Sequence, residues 1–195
     1  KREPIWSDFR SYSFSAMAED NVLQEKKVHL SDTSESFKIK TRMSGHGQVG
    51  NMACCEWVSN DHSIKVDGVT RFEWDIYEEE DCGTNPLIGQ GGTWPYAREG
   101  WCPGDKVKEY EFELTPYVIP GDSVALDYVI NDVPASDPGQ GSGNYRAAYD
   151  LISYSAPNFE NDASLIEILN PSNYEYYSKF NPTCSNPRVI IRNTG

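Results

Sequence analysis

Basic residues are scarce in this chain: 17 Lys and Arg stand against 30 Asp and Glu, a formal net charge of −13. Such a balance repels phosphate backbones and anionic headgroups, so neither nucleic acid nor an anionic membrane is an expected partner. No apolar run approaches the roughly 20 residues of a membrane span, and no apolar signal sequence opens the chain. Histidine is equally sparse. His29, His46 and His62 are scattered, with no His-x-His or His-x-x-x-His pair, and no metal or other cofactor is expected. Gly-x-Ser-x-Gly is absent, as is a closely paired Ser/His constellation for nucleophilic catalysis. Gly89-Gln-Gly-Gly lacks the strand–loop–helix surroundings that a phosphate cradle requires. No Asn-x-Ser/Thr acceptor with x other than Pro occurs, so nothing points to N-glycosylation of the chain itself. Helical periodicity is missing too: no window of a dozen residues shows it.

What is present points to one β-rich domain, long enough to bury a proper core. Five cysteines in a chain rich in Gly, Tyr and Trp fit an oxidising compartment, secreted or periplasmic. Their odd number leaves one thiol over or one partner elsewhere. Lys1 opens the chain without Met, and the sequence is expected to be a mature or excised piece of something longer.

Strand periodicity begins at Lys27. Phe37, Ile39, Thr41 and Met43 alternate with Lys38, Lys40 and Arg42, the pattern of a half-buried strand. Residues 63–66 and 69–77 flank Asp67-Gly68, a pair suited to a type I′ turn. Tyr110, Phe112 and Leu114 alternate with glutamates; Val124, Leu126, Tyr128 and Ile130 alternate likewise. Residues 147–155 and 164–169 complete roughly eight strands. The expected fold is an all-β, eight-stranded antiparallel jelly-roll sandwich over residues 27–170. Residues 1–26 read as a peripheral segment with a weak strand near 12–15. Residues 171–195 read as a linker and the first strand of a following β-domain.

Between strands lies the stretch 83–104, rich in Gly and Pro and carrying Trp94, Tyr96, Arg98, Glu99 and Trp101. Gly and Pro exclude a helix here, and disordered segments are poor in aromatics. It is expected to be a long ordered loop, of the kind usually reserved for function. The three aromatics form a candidate platform, with Arg98 and Glu99 as polar handles.

Three motifs in order then resemble a known family: Ser44-Gly45-His46-Gly47, Cys54-Cys55-Glu56-Trp57-Val58, and Arg98-Glu99-Gly100-Trp101-Cys102-Pro103-Gly104. Over about residues 27–155 they resemble the second domain of the peptide:N-glycosidase F family, secreted bacterial amidases that remove N-linked glycans. The resemblance implies a two-domain amidase with two jelly rolls and a cleft site between them. It implies Glu56 and Arg98 as catalytic residues and Trp101 as an aromatic near the sugar; Trp94 and Tyr96, as loop aromatics able to stack on sugar rings, and His46 are the further substrate-binding candidates. Its essential aspartate belongs to a first domain that this sequence does not contain, so the chain alone is expected to be inactive. Two positions depart from the family pattern: Val58 stands for a second cysteine, and His46 for a tryptophan. The same double jelly roll resembles peptide-amidating copper monooxygenases, whose His and Met ligand sets are not assembled here. A non-catalytic glycan- or protein-binding module is the alternative from another class. Expected partners are an N-linked glycan or glycoprotein and the missing N-terminal jelly roll. A disulfide is expected between Cys82 and Cys102, clamping the base of the aromatic loop, with Cys184 joined to Cys54 or Cys55.

Overall fold

The structure, a computed structural model, describes residues 1–7, 10–47, 54–78, 82, 91–104, 107–130, 143–157, 159, 161–170 and 187–193. The chain forms two compact units, divided after Ser155. In the first, alternation sets the layers. Strand β4 (Ser36–His46) turns Phe37, Ile39, Thr41 and Met43 inward and Lys38, Lys40 and Arg42 outward. It pairs antiparallel with β9 (Glu109–Glu113), which places Lys38, Lys40 and Arg42 opposite Glu113, Glu111 and Glu109. Cross-strand pairs of opposite charge favour this register. The Lys40 ammonium, 2.7 Å from Glu109, is the main cause that holds that carboxyl down at about 2, against the opposing effect of partial burial.

The other edge of β4 pairs with β11 (Asn144–Tyr154). Two short strands share the far edge of β11: β1 (Arg2–Pro4) along 150–152 and β2 (Arg10–Ser13) along 144–147. They act as one interrupted strand. The second sheet runs β3 (Lys26–His29), β10 (Ser123–Ile130), β5 (Asp61–Val66), β6 (Val69–Asp75). The two antiparallel sheets thus hold nine strands in eight positions among the described residues. Tyr145, Tyr149 and Leu151 of β11 are buried in one core cluster with Ile64, Val66, Leu126 and Tyr128 of the second sheet.

Residues 1–26, read from sequence as peripheral, belong to this sandwich. Ile5, Phe14, Met17 and Leu23 are buried in its core, and Trp6 packs edge-on against Tyr149 at 5.2 Å. Four apolar residues spread over 19 positions carry no period, which is why the sequence pattern is silent about them. The five-residue helix α1 (Phe14–Ala18), capped by Ser13, is too short to show one.

Between β5 and β6, Asp67 and Gly68 both adopt positive φ, 49° and 78°, as a type I′ turn demands. Nothing lies within 4 Å of a Cβ added at Gly68. Gly68→Ala therefore isolates the backbone term, and is expected to cost about 1–2 kcal/mol by chemical denaturation. A neutral outcome would contradict the left-handed turn.

Strand β12 (Ala163–Asn170), expected to close the sandwich, instead pairs with β13 (Arg188–Asn193) in the second unit. Alternation identifies a strand but not its partner. Leu165, Ile166, Ile168, Val189, Ile190 and Ile191 of this hairpin are exposed. The expected linker at 171–186 lies outside the described residues.

Candidate functional site

The burial pattern of β4 breaks at its end, where Ser44 and Gly45 are both buried and His46 half-buried. Two segments cover this end. The first is the chain entering Glu56: the Cys55 amide donates to the His46 carbonyl at 3.4 Å and the Glu56 amide to the Gly47 carbonyl at 3.0 Å. Cys54 and Cys55 are disulfide-bonded to each other and fully buried. This corrects the expected pairing of one of them with Cys184, which lies outside the described residues. A sequence with two adjacent cysteines and three others does not by itself distinguish a neighbour bond from a distant one.

The second is a ribbon of two short strands, β7 (Tyr77–Glu78) and β8 (Arg98–Glu99). In extended chain, successive side chains point to opposite sides. Arg98 and Glu99, both buried, therefore serve different surroundings.

Arg98 faces the aromatic loop. Its Nε donates to Glu56 Oε1 at 3.1 Å; Nη1 donates to the carbonyls of Tyr96 (2.9 Å) and Trp94 (3.5 Å); Nη2 donates to the carbonyl and hydroxyl of Thr93 (2.9 and 3.2 Å). All five donors of the guanidinium are occupied. The plane also stacks over Trp57, 4.4 Å from its centroid, and Trp101, at 4.9 Å. Arg98 thus builds the loop and fixes Glu56, with no donor left for a ligand. Arg98, read from sequence as a polar handle beside the aromatics, therefore has no donor to offer a sugar in this geometry. Glu56 itself keeps 15% of its side chain exposed, and among the described residues Oε2 has no hydrogen-bond partner.

Glu99 does not stand beside the aromatics as a handle; it points into the end of the sandwich. Its Oε1 lies 3.2 Å from each of the Asn60 backbone nitrogen, His62 Nε2 and the Tyr145 hydroxyl, while the buried Oε2 has no partner among the described residues. Burial pushes the Glu99 carboxyl up to about 8, and burial pushes His62 down to about 3. Both groups are neutral near pH 7.

Of the expected platform, Trp101 and His46 come together, stacked with centroids 5.4 Å apart, and Trp101 Nε1 donates to the Gly45 carbonyl at 2.9 Å. His46, held to Ser44 at 2.9 Å, is shifted below its usual pKa, by burial first and by Arg146 second. Tyr96 is 59% exposed and meets Trp57 edge-on. Trp94 contributes chiefly its carbonyl, to Arg98. Trp57, Thr93, Asn60, His62 and Tyr145 were not among the sequence candidates. For His62 and Tyr145 a signal existed, since extending the strand alternation one step puts both on the inward face. For Thr93 and Asn60 none did, because they act through loop geometry. A cavity of about 690 Å³, lined by Asp61, His62, Glu73, Trp74 and Asp75 among others, does not include Glu56 or Arg98. No group of three or more His, Cys, Asp or Glu among the described residues is placed to hold a metal ion.

Cys82 and Cys102 are joined by a disulfide that closes the aromatic loop, with Cα atoms 5.1 Å apart. Its removal in a Cys82→Ala/Cys102→Ala pair is expected to cost about 3 kcal/mol for a loop of this length, read by urea unfolding. A loss below about 1 kcal/mol would mean that Arg98 alone closes the loop.

Residues 13–153 match the family model described as peptide-N-glycosidase F, C terminal. The chain belongs to that family. A curated relative, the peptide-N(4)-(N-acetyl-β-D-glucosaminyl)asparagine amidase F of Elizabethkingia miricola, is 30% identical over 86 residues, 41% of this chain and 24% of that protein. Among solved structures, PNGase F, a glycosylasparaginase from Flavobacterium meningosepticum, superposes with a TM-score of 0.67 at 21% identity, over 80% of this chain and 51% of its own. A crystal structure of a peptide-N(4)-(N-acetyl-β-D-glucosaminyl)asparagine amidase gives 0.66 at 22%, over 79% and 51%. At these identities the superpositions show the jelly-roll fold of the peptide-N-glycosidase F family. The chain spans about half the length of these solved relatives and a quarter of the curated one.

Proposed function

We propose that this chain is the C-terminal jelly roll of a secreted amidase that hydrolyses the bond between N-acetylglucosamine and Asn in N-linked glycoproteins. One observation carries the reading. Glu56, mostly buried, is held by a guanidinium that lies over Trp57 and Trp101 and whose every other donor is fixed, so its carboxylate is kept in one place. Electrostatic groups fixed in advance of the reaction are what amide hydrolysis requires. In the reaction, water oxygen bonds to the Asn side-chain carbonyl carbon, the C–N bond breaks, and the nitrogen takes a proton. The products are aspartate and a glycosylamine. Glu56 orients the water or the sugar, Arg98 acts through Glu56, and Trp101 stacked on His46 offers an aromatic face to sugar C–H groups. The carboxylate that activates the water comes from a preceding domain of the intact protein.

A glycan-binding module without catalysis is the second reading, favoured by the exposed ring of Tyr96. One preparation assayed twice separates the readings: glycan release from a denatured glycoprotein by mass shift, and chitobiose binding by NMR titration. The isolated chain is expected to bind weakly at the Trp101 loop and release nothing. Joined to the preceding domain, it is expected to release glycan, and Glu56→Ala to abolish that. Release by the isolated chain would overturn the need for a second domain, and no release from the joined protein would leave the binding module. Neither release nor binding would overturn both.

A further inference from the structure

Glu99 lies next to Arg98 in sequence, yet the reaction proposed above gives it no part. It is fully buried at the mouth of the sandwich, in space left open because residue 45 is Gly. Strands from both sheets supply its neighbours. Asn60 immediately precedes β5, His62 lies at its start, and Tyr145 comes from β11, directly opposite Gly45 in register. Asn60 Nδ2 reaches the Tyr145 hydroxyl at 2.7 Å, and His62 Nδ1 reaches the Tyr128 hydroxyl of β10 at 2.7 Å. The Glu99 amide donates to the Glu56 carbonyl at 3.0 Å.

One placement of protons satisfies every contact. Asn60 Nδ2 donates to Tyr145, whose hydroxyl donates to Glu99 Oε1; Tyr128 donates to His62 Nδ1, leaving His62 Nε2–H to donate to the same Oε1. Oε1 is then a carbonyl oxygen with three donors, and Oε2 carries the carboxyl proton. An ionised Glu99 would share its charge between Oε1 and an Oε2 that is buried with no donor among the described residues; that burial is costly and outweighs the hydrogen bonds from the Asn60 amide and the Tyr145 hydroxyl, which favour the anion. The other charges near it make ionisation harder still. Asp75 of β6 and Asp61 of β5 both act against the anion. On β7, Glu78 is already paired with Lys108.

We infer that Glu99, as a neutral acid, is the positioning residue of this site: it pins β8 to Asn60, His62 and Tyr145, so that Arg98 and through it Glu56 are held in place, and its ionisation releases them. The consequence for catalysis rests on the reading of Glu56 given above; the coupling of Glu99 to Arg98 does not. The sign follows from linkage. A carboxyl whose folded pKa is raised from 4.5 to about 8 keeps its proton in the folded state where the unfolded chain has lost it. Stability therefore falls as pH rises through that interval, by up to about tenfold in the folding equilibrium per pH unit. His62, lowered to about 3, opposes this between about 3 and 6.5, so the pair gives a net fall above about 6.5 that ends near 8.

The test is a pH titration of the 15N- and 13C-labelled chain from 5.5 to 9.5, alongside Glu99→Gln, which copies the protonated acid. In the wild type, the Glu99 carboxyl carbon is expected to titrate near pH 8. The Arg98 Nε–H and Trp101 Nε1–H signals should shift or vanish with the same midpoint. In Glu99→Gln both signals should persist to pH 9.5, and the fall in stability above pH 6.5 should disappear. A Glu99 carboxyl already ionised at pH 6.5, or Arg98 and Trp101 signals that ignore its titration, would overturn the inference. Should the Gln variant fail to fold, the wild-type carboxyl titration decides alone. No glycan enters these measurements, so a failure of the proposed amidase reading leaves their outcome untouched.

Discussion

Arg98→Ala is expected to lower stability by about 3–5 kcal/mol, the scale of breaking a buried ion pair by removing one partner. For a chain of this size that corresponds to a fall in Tm of roughly 10 °C. The loss has two parts. Glu56, mostly buried, keeps a charge without its partner, and four contacts to Thr93, Trp94 and Tyr96 lose their donor together. Trp57 and Trp101 also lose the cation between them. Arg98→Lys tests which part dominates. A lysine keeps a charge near Glu56 but cannot span two directions with a planar fork. It is expected to recover less than half of the loss, and near-UV circular dichroism should show altered tryptophan signals in both variants. If Arg98→Ala unfolds within about 2 °C of the wild type, the guanidinium does not organise the loop.

The sandwich was legible because its pattern is local. Phe37 to Met43 and Val124 to Ile130 alternate without interruption, and each side chain's burial follows from its parity. Elements that depend on distant geometry were not legible. The pairing of β12 with β13, and the joint use of one edge by β1 and β2, are choices of partner that alternation leaves open. In the site, sequence pointed to Glu56, Arg98 and Trp101, and the structure brings these three together. It could not say that Arg98 and Glu99, adjacent residues of opposite charge, part company across a two-residue strand. Nor could it say that Arg98 has no donor to offer a sugar, because that depends on three carbonyls whose directions only the folded loop sets.

Gly45→Ala is expected to be among the most damaging single-methyl changes this domain can receive. A Cβ at residue 45 would lie 1.8 Å from the Cys55 carbonyl oxygen and 2.8 Å from both Cβ and Cγ of Glu99. The first contact is with backbone, so no side-chain rotation relieves it, and the segment leading into Glu56 must move. The second presses on the side chain inserted among Asn60, His62 and Tyr145. Residue 45 also holds Trp101 through its carbonyl, and lies opposite Tyr145 on β11. Overpacking usually costs about 1–3 kcal/mol, and a clash with backbone at this distance places the change at or above the upper end. The damage should be directional: β4 and β9 remain paired, while Glu56, Arg98 and Trp101 separate. Hydrogen exchange resolves the two, with amides of β4 up to Met43 still protected and those of Cys55, Glu56 and Glu99 exchanging faster by at least tenfold. Uniform loss across the sandwich would show that Gly45 supports the whole fold, and an unchanged pattern would show that the Cys55 segment does not rest on it.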